Sequence, residues 1–160
     1  MSTWFTERGI PMADSQSLRL VLGTAGVHDH LTQYVAQILN HKGYDDVSPA
    51  MLNFLSTLDC GVNYGSEIAR RLNVSRQMVA KTVKELCQAG YLEQVQIKGN
   101  QKQILFTTSG EQLMSDVRTL LAQLDKVLCE EIGETALDEA IAILDAIQFV
   151  VSTELQTRSK

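Results

Sequence analysis

The sequence predicts a mainly α-helical chain interrupted by one short β-hairpin, and three observations carry that prediction. Only 2 of the 160 residues are proline and 6% are aromatic, and long stretches are rich in Leu, Val, Ile, Ala, Gln and Glu, a composition that favours helix. Apolar residues recur at three-to-four spacing through most of the chain. Between Leu92 and Phe106 the period falls to two, on either side of Lys98-Gly99-Asn100-Gln101, a glycine-containing hairpin turn. With 44% hydrophobic and 21% charged residues, the chain reads as a globular protein of one domain or two intimately packed halves. Disordered and collagen-like classes are excluded.

Residues 1–14, punctuated by Gly9 and Pro11, read as an irregular, flexible N-terminal arm. Helical spacing begins at Ser15 or Ser17 and runs to about His41 in two stripes. Leu18, Val21, Leu22 and Ala25 form one, and Leu20, Val27, Leu31, Tyr34 and Ile38 the other, so the helix buries two faces. Gly23 and Gly26 each cost about 1 kcal/mol inside a helix; they either permit close helix approach or break it in two. Gly43 to Asp46 is the exit. Ser48-Pro49 then supplies an N-cap and a first-turn proline for a short helix through Met51, Leu52 and Leu55 to Leu58, ended by Cys60-Gly61.

Two compact helices follow. The first, Ser66 to Leu72, buries Ile68, Ala69 and Leu72, and Asn73-Val74 makes the turn. Ser75 caps a second helix from Arg76 to about Gln88, with Val79, Val83 and Leu86 inward and Gly90 as the left-handed stop. The runs Leu92–Ile97 and Lys102–Phe106 are the strands of the hairpin. After Thr107-Thr108-Ser109-Gly110, helical spacing resumes at Leu113, Val117, Leu120, Leu124 and Val127. A break at Gly133 precedes a last helix that Thr135 is expected to cap. That helix is apolar on two sides: Leu137, Ile141, Leu144, Ile147 and Val151 on one, Ile143, Ala146 and Val150 on the other. A terminal helix cannot hide both rows in its own core, and a partner chain is the economical cover.

Several function classes fall away. No apolar run reaches the roughly 18 residues of a membrane span, and Met1 to Ile10, with Glu7 and Arg8, lacks the apolar core of a secretory leader. Cys60, Cys87 and Cys129 are too few, and odd in number, for a disulfide framework, which makes a reducing cytoplasm the expected compartment. Small core cysteines are expected in preference to redox sensors, and acidic neighbours Glu130 and Glu131 disfavour a Cys129 thiolate. His28 and His30 point to different sides of a helix, and with His41 they are expected at the surface or an interface; no metal site or cofactor is expected. Phosphate loops, nucleophile elbows and dinucleotide fingerprints are missing from the sequence, so no catalytic residues are assigned and no enzyme is expected.

Charge is concentrated. The whole chain carries −5, yet Tyr64 to Gln103 holds seven bases against three acids, a local +4, and the remainder carries −9. The screening length is about 8–10 Å, so a polyanion feels the local patch more than the total. Helix, turn, helix and hairpin are the order of a winged helix-turn-helix, whose second helix fits the roughly 12 Å wide major groove. With Val79, Val83 and Leu86 inward, Arg76, Gln77, Ala80, Lys81 and Lys84 face outward. Arginine can donate twice to guanine, glutamine twice to adenine, and lysines can hold phosphates.

The segment Tyr64 to Gly110, YGSEIARRLNVSRQMVAKTVKELCQAGYLEQVQIKGNQKQILFTTSG, resembles the DNA-binding core of the MarR (multiple-antibiotic-resistance regulator) transcription factors. EIARRLNVS is similar to the family's first helix and turn, RQMVAKTVKEL to its recognition helix, AGYLE to the start of its wing, and Phe106-Thr107 to Gly110 to its Leu-Thr-x-x-Gly. The likeness extends more loosely over about Ser15 to Leu155. It implies a single domain over 15–160, with a winged core at 48–110 flanked by dimerisation helices at 15–42 and 111–157. It implies a homodimer on a pseudo-palindromic operator in double-stranded DNA, acting as a repressor that a small-molecule effector or stress relieves. Ser75, Arg76, Gln77 and Lys81 are then expected at the major groove, and Arg70, Lys84, Lys98, Asn100 and Lys102 at the backbone. The wing departs from the family pattern: no arginine lies between Gly90 and Gly110, where an Asp-x-Arg normally supplies one to the minor groove. The rival expectation is a winged-helix module that binds protein without specific DNA binding.

Overall fold

A computed structural model describes residues 3–44, 47–59, 61, 63–97 and 102–158. In chain order its elements are β1 (Thr3–Phe5), β2 (Pro11–Ala13), α1 (Gln16–His41), α2 (Pro49–Ser56), β3 (Asn63–Tyr64), α3 (Gly65–Leu72), α4 (Arg76–Gln88), β4 (Leu92–Gln96), β5 (Lys102–Phe106), α5 (Thr108–Ile132) and α6 (Glu134–Arg158). The chain divides into two units, Met1–Val117 and Arg118–Lys160, with the boundary inside α5.

Local chemistry sets the helix boundaries. The Oγ atoms of Ser15, Ser48 and Ser75 accept from the backbone N–H groups of Leu18, Met51 and Met78 at 3.1, 3.2 and 3.1 Å, each filling a donor that the first helical turn leaves unpaired. Pro49 occupies the first turn of α2, where its missing N–H costs nothing. α1 is continuous through Gly23 and Gly26, so neither breaks it, and a Cβ at either would meet nothing within 4 Å. α2 stops at Ser56 rather than Leu58, where the bonds tighten to three residues: the Phe54 and Leu55 carbonyls accept from Thr57 and Leu58 N–H, both at 3.1 Å. α6 starts at Glu134, and the Gly133 carbonyl accepts from Leu137 N–H at 3.1 Å; the expected cap, Thr135, lies inside the helix. Residues 3–13, expected to be irregular, pair as an antiparallel hairpin with Thr3 opposite Ala13, exposed on both faces. Gly9 at φ +74 makes its turn.

The core of the first unit gathers Val35, Ala36 and Leu39 from the end of α1, Leu52 and Leu55 from α2 and Ile68 from α3. Val79, Val83 and Leu86 of α4, Leu92 of β4, Ile104 of β5 and Leu113 of α5 complete it, all nearly inaccessible. β5 runs between β3 and β4 in a three-stranded antiparallel sheet, with Leu92 opposite Phe106 and Asn63 opposite Ile104. Two polar ties brace this packing. Asn63, 3% exposed, accepts from the Asp59 N–H and donates to the Asp59 and Gly61 carbonyls, so its buried amide is paired at both ends. Tyr44 donates to Asp116 at 2.8 Å, joining the end of α1 to α5.

The second unit holds the rest of α5 and all of α6, joined at Gly133 with φ +96, a left-handed value that glycine adopts without strain. α6 has no buried residue. Ile143 and Val150 of one apolar row stand 59% exposed, and Ile141, Leu144 and Val151 of the other 52, 37 and 52%, with Leu137 and Ile147 half-buried, so most of both rows is open within one chain.

Candidate nucleic-acid interface

α3 ends at Asn73, whose φ of 53 and ψ of 44 place it in the left-handed region that asparagine tolerates better than most residues. Val74 N–H closes the end of α3 on the Ala69 carbonyl at 3.0 Å, and Ser75 then opens α4. A three-residue turn thus joins the two helices. Arg71 ties α3 to the segment after α2: its guanidinium donates to the Thr57 carbonyl at 2.7 Å and to Asp59 at 3.2 Å. Of the two adjacent arginines, Arg71 is therefore engaged with its own chain, whereas Arg70 is exposed on α3.

The inward set of α4 is Val79, Val83 and Leu86, at 2, 0 and 0% exposure. Its opposite side carries Gln77, Lys81 and Lys84, all exposed; Arg76 shares the stripe of Val79 and Val83 and is exposed because it opens the first turn. Two open grooves flank that side. One, about 290 Å³, brings Arg76 together with Lys102 at the start of β5, over Ser66, Ala80 and Gln94. The other, about 550 Å³, is lined by Ser75, Gln77, Met78, Lys81, Thr82 and Glu85. Arg70 and Lys84 line neither groove. Lys98 and Asn100 lie outside the described residues. Lys81 stands 3.9 Å from Glu85, both well exposed, a pair weak enough for the lysine to turn to another anion at little cost.

Periodicity did not mark Met78 or the strand β3. Met78, 57% exposed beside Gln77, is apolar on a polar face. β3, two residues long, brings Tyr64 into the wing-side groove, where its hydroxyl accepts from Gln103 at 3.2 Å. A two-residue strand has no readable period. Met78 was legible as a departure from the polar pattern of the face.

Cys87 is half-buried on α4, and burial pushes its thiol pKa up, the Glu93 carboxylate adding to this and Lys102 opposing it. That is the environment of an inert core thiol rather than a peroxide-sensing one. Cys60 lies outside the described residues. Among those described, no three His, Cys, Asp or Glu side chains gather to hold a metal ion, and no helix is long and apolar enough to cross a membrane.

The architecture can be placed among solved structures. Oxidised MarR from E. coli superposes with a TM-score of 0.66 at 17% identity over 86% of this chain and 96% of its own. The fold is that of the MarR regulators. Within it, the S. aureus MepR–DNA complex gives a TM-score of 0.64 at 16% identity, covering 87% of this chain and 99% of MepR. A mutant E. coli MarR complexed with operator DNA gives 0.63 at 17%, covering 81% and 91%. No family model and no curated protein matches the sequence, so the MarR likeness rests on the winged helices and their flanking helices.

Proposed function

We propose that this protein is a homodimeric, sequence-specific DNA-binding transcriptional regulator. The observation that carries the proposal is the serine-capped α4. One side is packed shut by Val79, Val83 and Leu86, the other presents Gln77, Lys81 and Lys84 to solvent, and Arg76 stands exposed at the first turn, on the basic stretch of an acidic chain. Arg76, Gln77 and Lys81, positioned by the Ser75 cap, contact base edges in the major groove. Arg70, Lys84, Lys98, Asn100 and Lys102 contact the phosphate backbone. In support, structural neighbours of the same fold are solved in complex with DNA.

A dimer follows from the uncovered apolar rows of α6 and from α1, where Leu18, Val21, Leu22 and Val27 are 44–64% exposed. Monomers rarely leave such extensive apolar surface to water. A two-fold dimer reads a pseudo-palindrome with half-sites about 34–36 Å apart. Repression relieved by a small effector is the finer reading that the family resemblance carries, without an assigned effector site.

Selection from random duplexes, followed by affinity measured against salt, tests the proposal. Enrichment of a palindrome, with a log–log salt slope of about −0.9 per neutralised phosphate, is the expected result. Absence of enrichment overturns it and favours a protein-binding winged module, the reading that the missing wing arginine and the acidic net charge would then support.

A further inference from the structure

We propose that Met78 is a specificity-determining residue that reads the 5-methyl group of a thymine in each half-site, an inference resting on the DNA-binding reading above. Met78 is the third residue of α4, and its N–H is held by the Ser75 cap at 3.1 Å. It therefore sits in the first turn, the part of a recognition helix that meets base edges. It is 57% exposed, and it shares an open groove of about 550 Å³ with Gln77, Lys81 and Thr82. Elsewhere on that groove every side chain is polar or charged. Met78 is not part of the inward face, which is filled by Val79, Val83 and Leu86.

The major groove offers an apolar side chain one distinctive target. Thymine alone among the four bases carries a methyl group there. Methionine is flexible and polarisable, so it can settle over that methyl without exact placement. Its neighbour Gln77 has the amide that pairs twice with adenine. The two side chains together would recognise an A·T pair, or two adjacent ones, and distinguish A·T from T·A.

The test uses the full chain and its selected operator. Each thymine is replaced singly by deoxyuridine, which removes the methyl and leaves pairing and hydrogen-bond edges intact. Wild type, Met78→Ala and Met78→Leu are then compared. In wild type, one thymine per half-site is expected to lose about fourfold in affinity on replacement, the worth of one methyl group taken out of water. Met78→Ala should bind the two operators equally, and Met78→Leu should keep most of the discrimination. If no thymine is sensitive, or if Met78→Ala shows the wild-type sensitivity, Met78 is not the reader and the regulator stands. If selection enriches no operator, both fall. Met78 is exposed, so either variant should fold; coincident far-ultraviolet spectra and thermal midpoints check this.

Discussion

Gly110 is where the wing is fastened to α5, and Gly110→Ala tests that junction. A Cβ at 110 would run into the Tyr91 carbonyl oxygen and lie 3.0 Å from both the Tyr91 carbonyl carbon and Phe106 Cδ1. That carbonyl cannot easily yield. It accepts from Thr107 N–H at 3.1 Å, while Thr107 Oγ1 donates to the Gly90 carbonyl and accepts from Gly110 N–H at 3.0 Å. Overpacking of this kind costs about 1–3 kcal/mol, and loss of the Thr107–Tyr91 bond about 1 more. The gain from replacing glycine in a helix is below about 1 kcal/mol. The net loss expected is about 2 kcal/mol, or roughly 4–8 °C in Tm for a chain of this size. Gly65→Ala is the control: its Cβ meets only Val79 Cγ1, at 3.9 Å, so it should be neutral or slightly stabilising. Urea unfolding at fixed protein concentration reads both. A Gly110→Ala midpoint equal to that of Gly65→Ala would refute the steric reasoning.

On the selected operator, Arg76→Ala should lose about 1–3 kcal/mol per half-site and blur one base position in each, whereas Lys84→Ala, which removes one phosphate contact from each protomer, should weaken all sequences alike and reduce the salt slope by about 1.8; an unchanged base preference in Arg76→Ala removes it from the reading set. Glu85→Gln takes a carboxylate off the groove that carries Gln77 and Lys81. A phosphate about 8 Å away in water is repelled by about 0.5 kcal/mol in each half-site, so binding by the proposed dimer should tighten about fivefold at low salt and converge with wild type at high salt; a gain that survives high salt contradicts an electrostatic origin. Tyr44→Phe should lower stability in a pH-dependent way. Burial, and then the hydrogen bond to Asp116 and its charge, push the Tyr44 pKa up to about 12, so its contribution is complete below pH 10 and is lost as pH rises through about 12. The bonds from Tyr44 and then Gln112, aided by Lys42, hold Asp116 below the usual carboxylate range, so its contribution is present above that range and is lost as pH falls through the depressed value. The wild-type advantage in urea midpoint should be flat from about pH 5 to 9 and shrink on both sides; a gap independent of pH shows that the bond is not its source.

The parts of the fold that the sequence revealed are those decided by neighbours in the chain. Ser15, Ser48 and Ser75 cap where expected because a side-chain oxygen reaches an N–H only three residues on. Gly90 at φ +83 ends α4 for an equally local reason. What was missed depends on contacts distant in sequence or on geometry without a period. β3 exists because Asn63 and Tyr64 meet Ile104 and Gln103 some forty residues on. Residues 3–13 pair through short strands whose mix of Trp4, Phe5, Pro11 and Met12 has no alternation. Gly110 was read as part of a helix start; only the fold brings the Tyr91 carbonyl against it. On the candidate interface, the exposure of Gln77, Lys81 and Lys84 was legible because burial of Val79, Val83 and Leu86 turns them outward, while Arg76 is exposed because it opens the first turn. Which of them shares a groove with Lys102 was not, since that depends on how the sheet returns past α4.

The acidity of the whole chain bears on how such an interface discriminates. Non-specific affinity is set almost entirely by phosphate neutralisation, and the local +4 is modest beside the −9 of the remaining sequence. In the proposed dimer the cationic patches and the acidic surroundings would double alike, so attraction would stay confined to the faces carrying α4 and β5 while the rest of the surface would be repelled by DNA. Phosphates met in the wrong register would then hold the protein weakly. The base-edge contacts proposed for Arg76 and Gln77, each worth about 1–3 kcal/mol when well made, would form a larger share of the total than they would in a uniformly basic protein. Restrained electrostatics on a shape-matched helix favours specificity over affinity, and adding surface lysines to α6 should raise binding to random DNA more than binding to the operator.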